Sequence, residues 1–497
     1  MRDLRYTEHG LVKSVSGCIV TVVNFQNCFL GQLVKFGYGS EGIIMGFDEK
    51  GAQVLIVKEH EPITPGREVI ATLEPFNMSV GAGTIGRIID PIGEPLDGLG
   101  PVKFDGVIPY FNDAPAIMDR ENLSRTLETG LKLVDTMLPI GKGQRMLILG
   151  DKMVGKTTVL TDVMLNQKDT GVICIYCAIG KTRSALARVI SLLKESDCFK
   201  YSIVLAATAA SSPGLQYLAP YAACSVAEYF MYQGKDVFVG FDDFTKHAWA
   251  YRELSLMMQV PPGRDSYPGD IFYLHSRMIE RAAQLDKKHG GGSITFMPIV
   301  ELLEGDLTAY VPTNLVSMTD GQVYLSLPLF NEGFRPAVDV GLSVSRVGSR
   351  VQWKATRTVS KSLRLEFIQF KELLRVSKLQ TGGQSEEMRE KLGSGKILQT
   401  LLTQPANSPV SQEEQVMIFY AKDQGMLKEL NKDQTSAFQS GLRDFVLKQD
   451  PGLFRLIRAE RNITDEIAQR ITQMVQAYLT ALLAKGPDEA EFDVEVG

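Results

Sequence analysis

Residues 146–158 read MLILGDKMVGKTT. An apolar run, Met146–Leu149, arrives at Gly150, and Gly150, Gly155, Lys156 and Thr157 then satisfy the spacing G-x-x-x-x-G-K-[ST]. Behind them TTVLTDVMLNQ carries a helix-like pattern. The order strand, tight loop, helix is what this chemistry requires. The loop from Gly150 through Asp151, Lys152, Met153, Val154 and Gly155 into Lys156, Thr157 and Thr158 aims backbone N–H groups at phosphate oxygens, and the helix N-terminus adds partial positive charge. Lys156 is expected on the β/γ-phosphates and the Thr157 hydroxyl on Mg²⁺. The stretch predicts an α/β core that binds a nucleoside triphosphate or diphosphate with magnesium.

Working outward, VFVGFDDF supplies an acidic partner: the apolar strand Val237–Phe241 ends in Asp242 and Asp243. A carboxylate at the end of a strand beside such a loop suits a water-mediated Mg²⁺ contact, and Asp242, which follows the strand directly, is the better candidate. Further strand candidates are Val172–Cys177, Ile203–Ala206, Ile294–Pro298 and Val323–Leu325. Continuous apolar strands alternating with amphipathic helices predict a mostly parallel sheet covered on both faces.

On either side the pattern changes. Residues 1–73 hold short apolar or alternating runs (Leu11–Val23, Gly31–Phe36, Gly42–Phe47, Val54–Val57, Glu68–Ala71) split by GYGSEG, DEKG and TPGR, which reads as a small β-barrel or sandwich. Residues 74–355 form the nucleotide-binding domain, entered through the Gly/Pro-rich VGAGTIGRIIDPIGEPLDGLGP. From 356 to 497 helix formers dominate: Ile463, Ile467, Ile471, Met474, Val475, Tyr478 and Leu482 recur at helical spacing, with Thr464 or Asp465 near the start. The closing GPDEAEFDVEVG, with five acids and no base, reads as a solvated tail.

The 497 residues carry 53 Lys plus Arg against 58 Asp plus Glu, a net charge of −5. That balance argues against a basic nucleic-acid coat. No run approaches the ~18 apolar residues of a spanning helix, and the first twenty residues hold no signal-peptide core, so a soluble, non-secreted chain is expected. Six cysteines are too few and scattered for a disulfide framework. Cys174 and Cys177 have C-x-x-C spacing but fall inside the apolar strand VICIYCAI, where residues three apart face opposite ways, so they read as buried filler. His247 and His275 are expected in structural roles, and no protein-built metal cluster is visible.

PAVDVGLSVS (Pro336–Ser345) fits the pattern P-[SAP]-[LIV]-[DNH]-x-x-x-S-x-S, and VPTNLVSMTDGQVYL, GFRPAVDVGLSVSRVGS, PPGRDSYPGDIFYLHSRMIERAA, GAGTIGRIIDPIGEPLDG and ETGLKLVDTMLPIGKGQR accompany it. With these segments the chain resembles the rotary ATPase α/β family from about residue 10 to residue 480. SVSRVGS, SMTDGQ, YPGD-x-FYLHSR, AIG-x-x-RS and SPVSQEEQ place the resemblance on the α side of the F-type branch. It implies an N-terminal β-barrel, a central RecA-like P-loop domain and a C-terminal helical domain.

The resemblance also implies roles. Arg346 in SVSRVGS matches an arginine finger offered to a neighbouring β-type catalytic site; Phe330, Arg335 and Pro336 match the base-binding wall of the chain's own site, and Gln404 an adenine contact, although TQPANSP lacks the family's second glutamine. Most α-type chains carry glutamine in AIGQKRS and catalytic β-type chains a glutamate; here AIGKTRS puts Lys181 in that place. An ammonium cannot accept a proton from water, so the chain's own site is expected to bind Mg-nucleotide without turnover, with Lys181 on a phosphate oxygen. The implied partners are β-type subunits in an alternating 3:3 ring and a γ-type central stalk. The implied place is the cytoplasmic face of a bacterial-type inner membrane, or the matrix or stromal equivalent, with work coupled to proton or sodium transport. The barrel pattern begins near Gly10, without the usual preceding segment, which implies either an altered or absent peripheral-stalk attachment or a divergent, synthase-like motor. A self-sufficient catalytic ATPase would need a carboxylate at 181, a Rho-like RNA translocase a basic and aromatic N-terminal domain, and a purely structural ring subunit no intact P-loop.

Overall fold

A computed structural model describes residues 7–379 and 386–484. They group into two compact units. One comprises Met1–Asn122, Lys142–Lys152 and Gln167–Asp320; the other comprises Leu123–Gly141, Met153–Asn166 and Gly321–Gly497. The acidic stretch expected as a solvated tail, 486–497, lies outside the described residues.

The first unit opens with six antiparallel strands, Thr7–Ser16, Ile19–Val23, Gln32–Phe36, Glu41–Asp48, Gly51–Lys58 and Glu68–Pro75. They close into a barrel in the order first, second, fifth, fourth, third, sixth. Closure follows from strict alternation: in the first strand Glu8, Gly10 and Val12 face inward while Thr7, His9 and Leu11 face out. Val12, Val20, Val22, Val34, Phe36, Ile44, Val54 and Val69 form the core, each burial worth about 1.5–3 kcal/mol. Leu11–Val23, a single run in the sequence, is two strands of a hairpin turning at Gly17 and Cys18, with Ser16 opposite Ile19. The barrel packs on the helices that follow: Gln53 Nε2 donates to Met258 O (3.1 Å), and a Cβ on Gly214 would meet Leu55 at 2.7 Å.

Also in this unit is an all-parallel sheet. Its strands lie in the order Leu147–Gly150, Ser293–Glu301, Asp236–Asp242, Ile173–Lys181, Ser202–Thr208 and Ile88–Ile89. Near-complete burial explains their uninterrupted apolar sequences. The two-residue strand Ile88–Ile89 escapes the sequence reading because side chains, not hydrophobic pattern, hold it: Asp97 accepts from Ile88 N (3.1 Å) and binds Arg87 through both carboxylate oxygens. Cys174 and Cys177 are buried free thiols on one strand. Helices Arg183–Glu195, Pro213–Met231 and Phe244–Met257 start at Thr182, Ser212 and Asp243, whose side chains accept from Ala185 N, Leu215 N and Lys246 N. Parallel strands bring all their carboxyl ends to one edge, so Gly150, Lys181, Thr208, Asp242 and Glu301 emerge together.

The second unit is mainly helical. From Lys354 onward it runs Lys354–Ser360, Leu363–Leu379, Glu386–Leu402, Gln412–Asp423, Lys432–Gln449, Pro451–Glu460 and Asp465–Ala484. In the last helix Ile467, Ile471 and Val475 are buried and Thr464 Oγ1 accepts from Ile467 N, as its spacing predicts. Barrel, α/β core and helical region thus stand as the sequence orders them. No helix among the described residues is long and apolar enough to cross a membrane.

Candidate functional site

The strand Leu147–Gly150 is buried along its length and delivers the loop to the sheet edge. Within the loop Met153 has φ 62° and Gly155 φ 97°. The second value lies where a side chain is strained, so the second glycine of the motif is required by the turn itself. Gly155 is also the N-cap of helix Lys156–Leu165, and no side chain caps that helix. A first turn capped by glycine presents N–H groups outward, the arrangement that receives an anion. Not every loop residue serves that purpose. Asp151 Oδ1 accepts from Gly305 N (2.8 Å) and Val154 is buried, so both anchor the loop, while Lys152 and Met153 are exposed.

At the same edge the strand Ile173–Lys181 ends in a bulge: Ile179 pairs with Ala207 and Lys181 with Thr208, leaving Gly180 out of step. Gly180 has φ 63°, and a Cβ there would lie 2.9 Å from both Gln216 Oε1 and Lys246 Cβ. The bulge turns Lys181 across the neighbouring strand end. Its Nζ stands 2.5 Å from Asp242 Oδ1 and 3.6 Å from Asp243 Oδ2. Burial opposes the lysine's charge, but the two carboxylates outweigh it and raise its pKa. Asp243 is pushed up to about 6, chiefly by burial, with Lys181 pulling the other way.

Two of the expected site residues meet here. Asp242, read as the magnesium carboxylate, is fully buried: Oδ1 meets the Lys181 ammonium and Oδ2 accepts from Tyr176 OH (2.9 Å). Lys181, expected on a phosphate oxygen, stands here against that carboxylate. The physical reason is shared. A buried carboxylate needs a counter-charge, and lysine at 181 supplies it from within the chain. Among the described residues no group of three or more His, Cys, Asp or Glu could by itself hold a metal.

In the second unit Arg335 is exposed and lies over the Phe330 ring, 4.8 Å from its centre, in a cation–π contact; the Arg335–Pro336 peptide is cis. Gln404 is 3% exposed and its amide is engaged within the chain. Its Oε1 accepts from Lys132 N (3.1 Å), and its Nε2 donates to Gly130 O (2.8 Å) and Ser408 O (2.7 Å). Gln404 N also donates to Arg335 O (2.8 Å). In this geometry Gln404 clamps the wall that Arg335 and Phe330 form. Both Arg335 and Gln404 line a cleft of about 1200 Å³ within this unit. Its floor holds a residue the sequence reading missed, Lys132, whose Nζ donates to Thr403 O (3.1 Å) and Gln439 Oε1 (2.5 Å). Burial lowers Lys132 to about 7 and raises nearby Glu414 to about 7. A charge inside the apolar run Leu131–Val134 was the available signal.

Arg346 is exposed and follows the short strand Val344–Ser345, which pairs with Gly321–Leu325. Ser345 Oγ fixes the turn by donating to Pro139 O (2.9 Å) and accepting from Gly348 N (3.3 Å). Among the described residues Arg346 makes no hydrogen bond or ion pair.

Comparison with known proteins adds the following. Residues 130–345 match the sequence profile "ATP synthase alpha/beta family, nucleotide-binding domain", and residues 352–478 match "ATP synthase alpha/beta chain, C terminal domain". ATP synthase subunit alpha of Clostridium acetobutylicum is 41% identical over 483 residues, covering 97% of this chain and 95% of the relative. The protein of that name from Caldanaerobacter subterraneus subsp. tengcongensis is 41% identical over 479 residues, 96% of this chain and 94% of its own. That from Dehalococcoides mccartyi is 42% identical over 477 residues, 96% and 95%.

Proposed function

The chain belongs to the ATP synthase alpha/beta family, and from that premise we propose that it is the alpha-type subunit of a rotary ATP synthase or ATPase head. Its own P-loop holds ATP or ADP without hydrolysing it, and its arginine finger serves a neighbouring site. The observation that carries this reading is position 181. Hydrolysis needs a group that accepts hydrogen bonds from the attacking water. Lys181 is an ammonium committed to Asp242 and Asp243, so it accepts nothing. Lys156 and the glycine-capped helix still bind phosphate, and the Phe330–Arg335 pair offers a planar surface to a base.

In this reading Arg346 reaches a nucleotide on a partner chain. Its guanidinium is exposed and uncommitted within the described residues, on a turn that Ser345 holds in shape. A planar fork of N–H donors suits the charge that builds on a transferring phosphoryl group. Three such chains alternate with three beta-type chains around a gamma-type stalk at a membrane surface, where ATP chemistry is coupled to proton or sodium transport. The net charge of −5 suits protein partners rather than nucleic acid.

The test is reconstitution. Mixed with the beta-type chain of the same source, this protein should form one large assembly by sizing, with ATPase activity in the assembly and none in this chain alone. Turnover by the isolated chain that disappears in Lys156→Ala would overturn the proposal.

A further inference from the structure

We propose that Arg364 is the positioning residue for Arg346: it holds the backbone segment from which the finger projects, so the finger's reach depends on a second arginine further along the chain. The inference rests on the finger reading above and deepens it. Between Asp339 and Arg346 the only regular structure is the two-residue strand Val344–Ser345. Side chains therefore fix the rest of the segment. Asp339 Oδ1 accepts from Gly341 N (2.8 Å) and Leu342 N (3.1 Å). Ser343, fully buried, donates through Oγ to Asp339 O (2.6 Å) and accepts there from Tyr324 N (2.9 Å). The backbone carbonyls are taken by longer side chains. Gln322 Nε2 donates to Leu342 O (2.9 Å), and Arg364 Nη2 donates to both Val340 O (3.2 Å) and Ser343 O (2.9 Å).

Arg364 differs from the other groups in this set. It lies in the first turn of the helix Leu363–Leu379, so it ties the segment to a rigid element outside the loop. It is half-buried, and among the described residues no carboxylate pairs with it. Its guanidinium is committed to backbone instead, and hydrogen bonds from an ionised donor are roughly twice as strong as neutral ones. Ser343, one of its two anchors, is the last residue before the strand Val344–Ser345, and Arg346 is the first after it. On the far side Ser345 Oγ holds Pro139 O and Gly348 N. Arg346 is thus the free end of an arm clamped on both sides. Misplacing a group by about 1 Å at a reacting centre costs about 10²-fold in rate, so a loosened clamp reaches the chemistry without touching the nucleotide.

The assembly reconstituted with the beta-type chain tests this. Arg364→Met keeps an unbranched stem and removes the donors. It should leave sizing unchanged and the KM for ATP within about twofold, and cut turnover by about thirtyfold. Both bonds leave one nitrogen, which lysine also supplies, so Arg364→Lys should stay within about threefold of the parent and guards against a folding artefact. The deciding readout is a double-mutant cycle: once Arg346→Ala has removed the finger, adding Arg364→Met should cost less than about threefold. In the isolated chain, amide exchange of peptides covering Val340–Val347 should quicken about tenfold or more in Arg364→Met, with Ile271–Ile279 unchanged. A parent-like rate or unchanged exchange in Arg364→Met, a lysine variant as slow as the methionine one, or the whole loss of about thirtyfold repeated on top of Arg346→Ala overturns the inference and leaves the finger standing. A parent-like rate in Arg346→Ala itself overturns the finger and the inference together.

Discussion

Replacing Gln404 by alanine removes three side-chain hydrogen bonds at once and separates two accounts of that residue. The bonds run from Lys132 N to its Oε1 and from its Nε2 to Gly130 O and Ser408 O, at 3.1, 2.8 and 2.7 Å, in a place where the side chain is almost wholly covered. Each is worth about 1 kcal/mol net, and releasing the glutamine from its single rotamer returns about 1 kcal/mol. The local clamp should therefore weaken by about 2 kcal/mol, which speeds amide exchange of a locally opening segment by about 30-fold. Hydrogen–deuterium exchange on peptides spanning Gly130–Met137 and Gln404–Val410 reads this directly, with Ile271–Ile279 as an internal reference. If Gln404 acts through the wall it holds, nucleotide affinity should fall only modestly while exchange accelerates. Exchange changed by less than about threefold, together with a tenfold loss of mant-ADP affinity, would refute the clamp and return Gln404 to direct contact with the base.

Two further outcomes can be checked. In the reconstituted assembly Arg346→Lys should leave sizing unchanged and cut ATPase turnover by about 10³-fold, because one ammonium does not reproduce the planar fork; an unchanged rate would exclude the finger. His247 and His275 form a buried pair, Nδ1 to Nε2 at 3.3 Å, and burial holds His275 down at about 4. The unfolded state then takes up a proton that the native state refuses, so the stability His275 contributes above pH 6.5 is lost as pH falls from 6.5 toward 4, by about 3 kcal/mol in all. The gap in unfolding free energy between the parent and His275→Asn should shrink accordingly from pH 7.5 to about pH 4.5 in urea titrations. Asp135 and Asp243, both raised to about 6 by burial, push the parent's own profile the opposite way, which is why the difference is the informative quantity. A gap that is constant with pH would contradict the neutral buried pair.

Much of the architecture was legible because it rests on local signals that add up. Alternation announced the barrel, unbroken apolar runs the parallel strands, and glycine spacing the phosphate loop. What escaped depends on partners distant in sequence. The strand Ile88–Ile89 exists because Asp97 and Arg87 hold it. The hairpin at Gly17 divides a run whose hydrophobicity never pauses. For the site, the sequence named the residues better than their employment. Lys181 stood out as an odd residue, yet its pairing with Asp242 needs the bulge at Gly180 and the adjacency of two strands separated by more than fifty residues. Gln404 was named through the family resemblance as an adenine contact, but its commitment to Gly130 and Lys132, far upstream in the chain, was not visible.

The bulge at Gly180 has a consequence for how such a chain changes over generations. From Cys174 to Ala178 the strand keeps regular register with both neighbours, and the irregularity is confined to its last step. Position 181 thereby lies past the regular register, and a change of its side chain is felt first by Asp242 and Asp243 rather than by the strand pairing. Codons for lysine, glutamine and glutamate differ only in their first base. A single mutation at this one socket therefore changes the charge beside Asp242 from positive to neutral or negative, and under the proposed function that makes retention and hydrolysis neighbouring states of one scaffold.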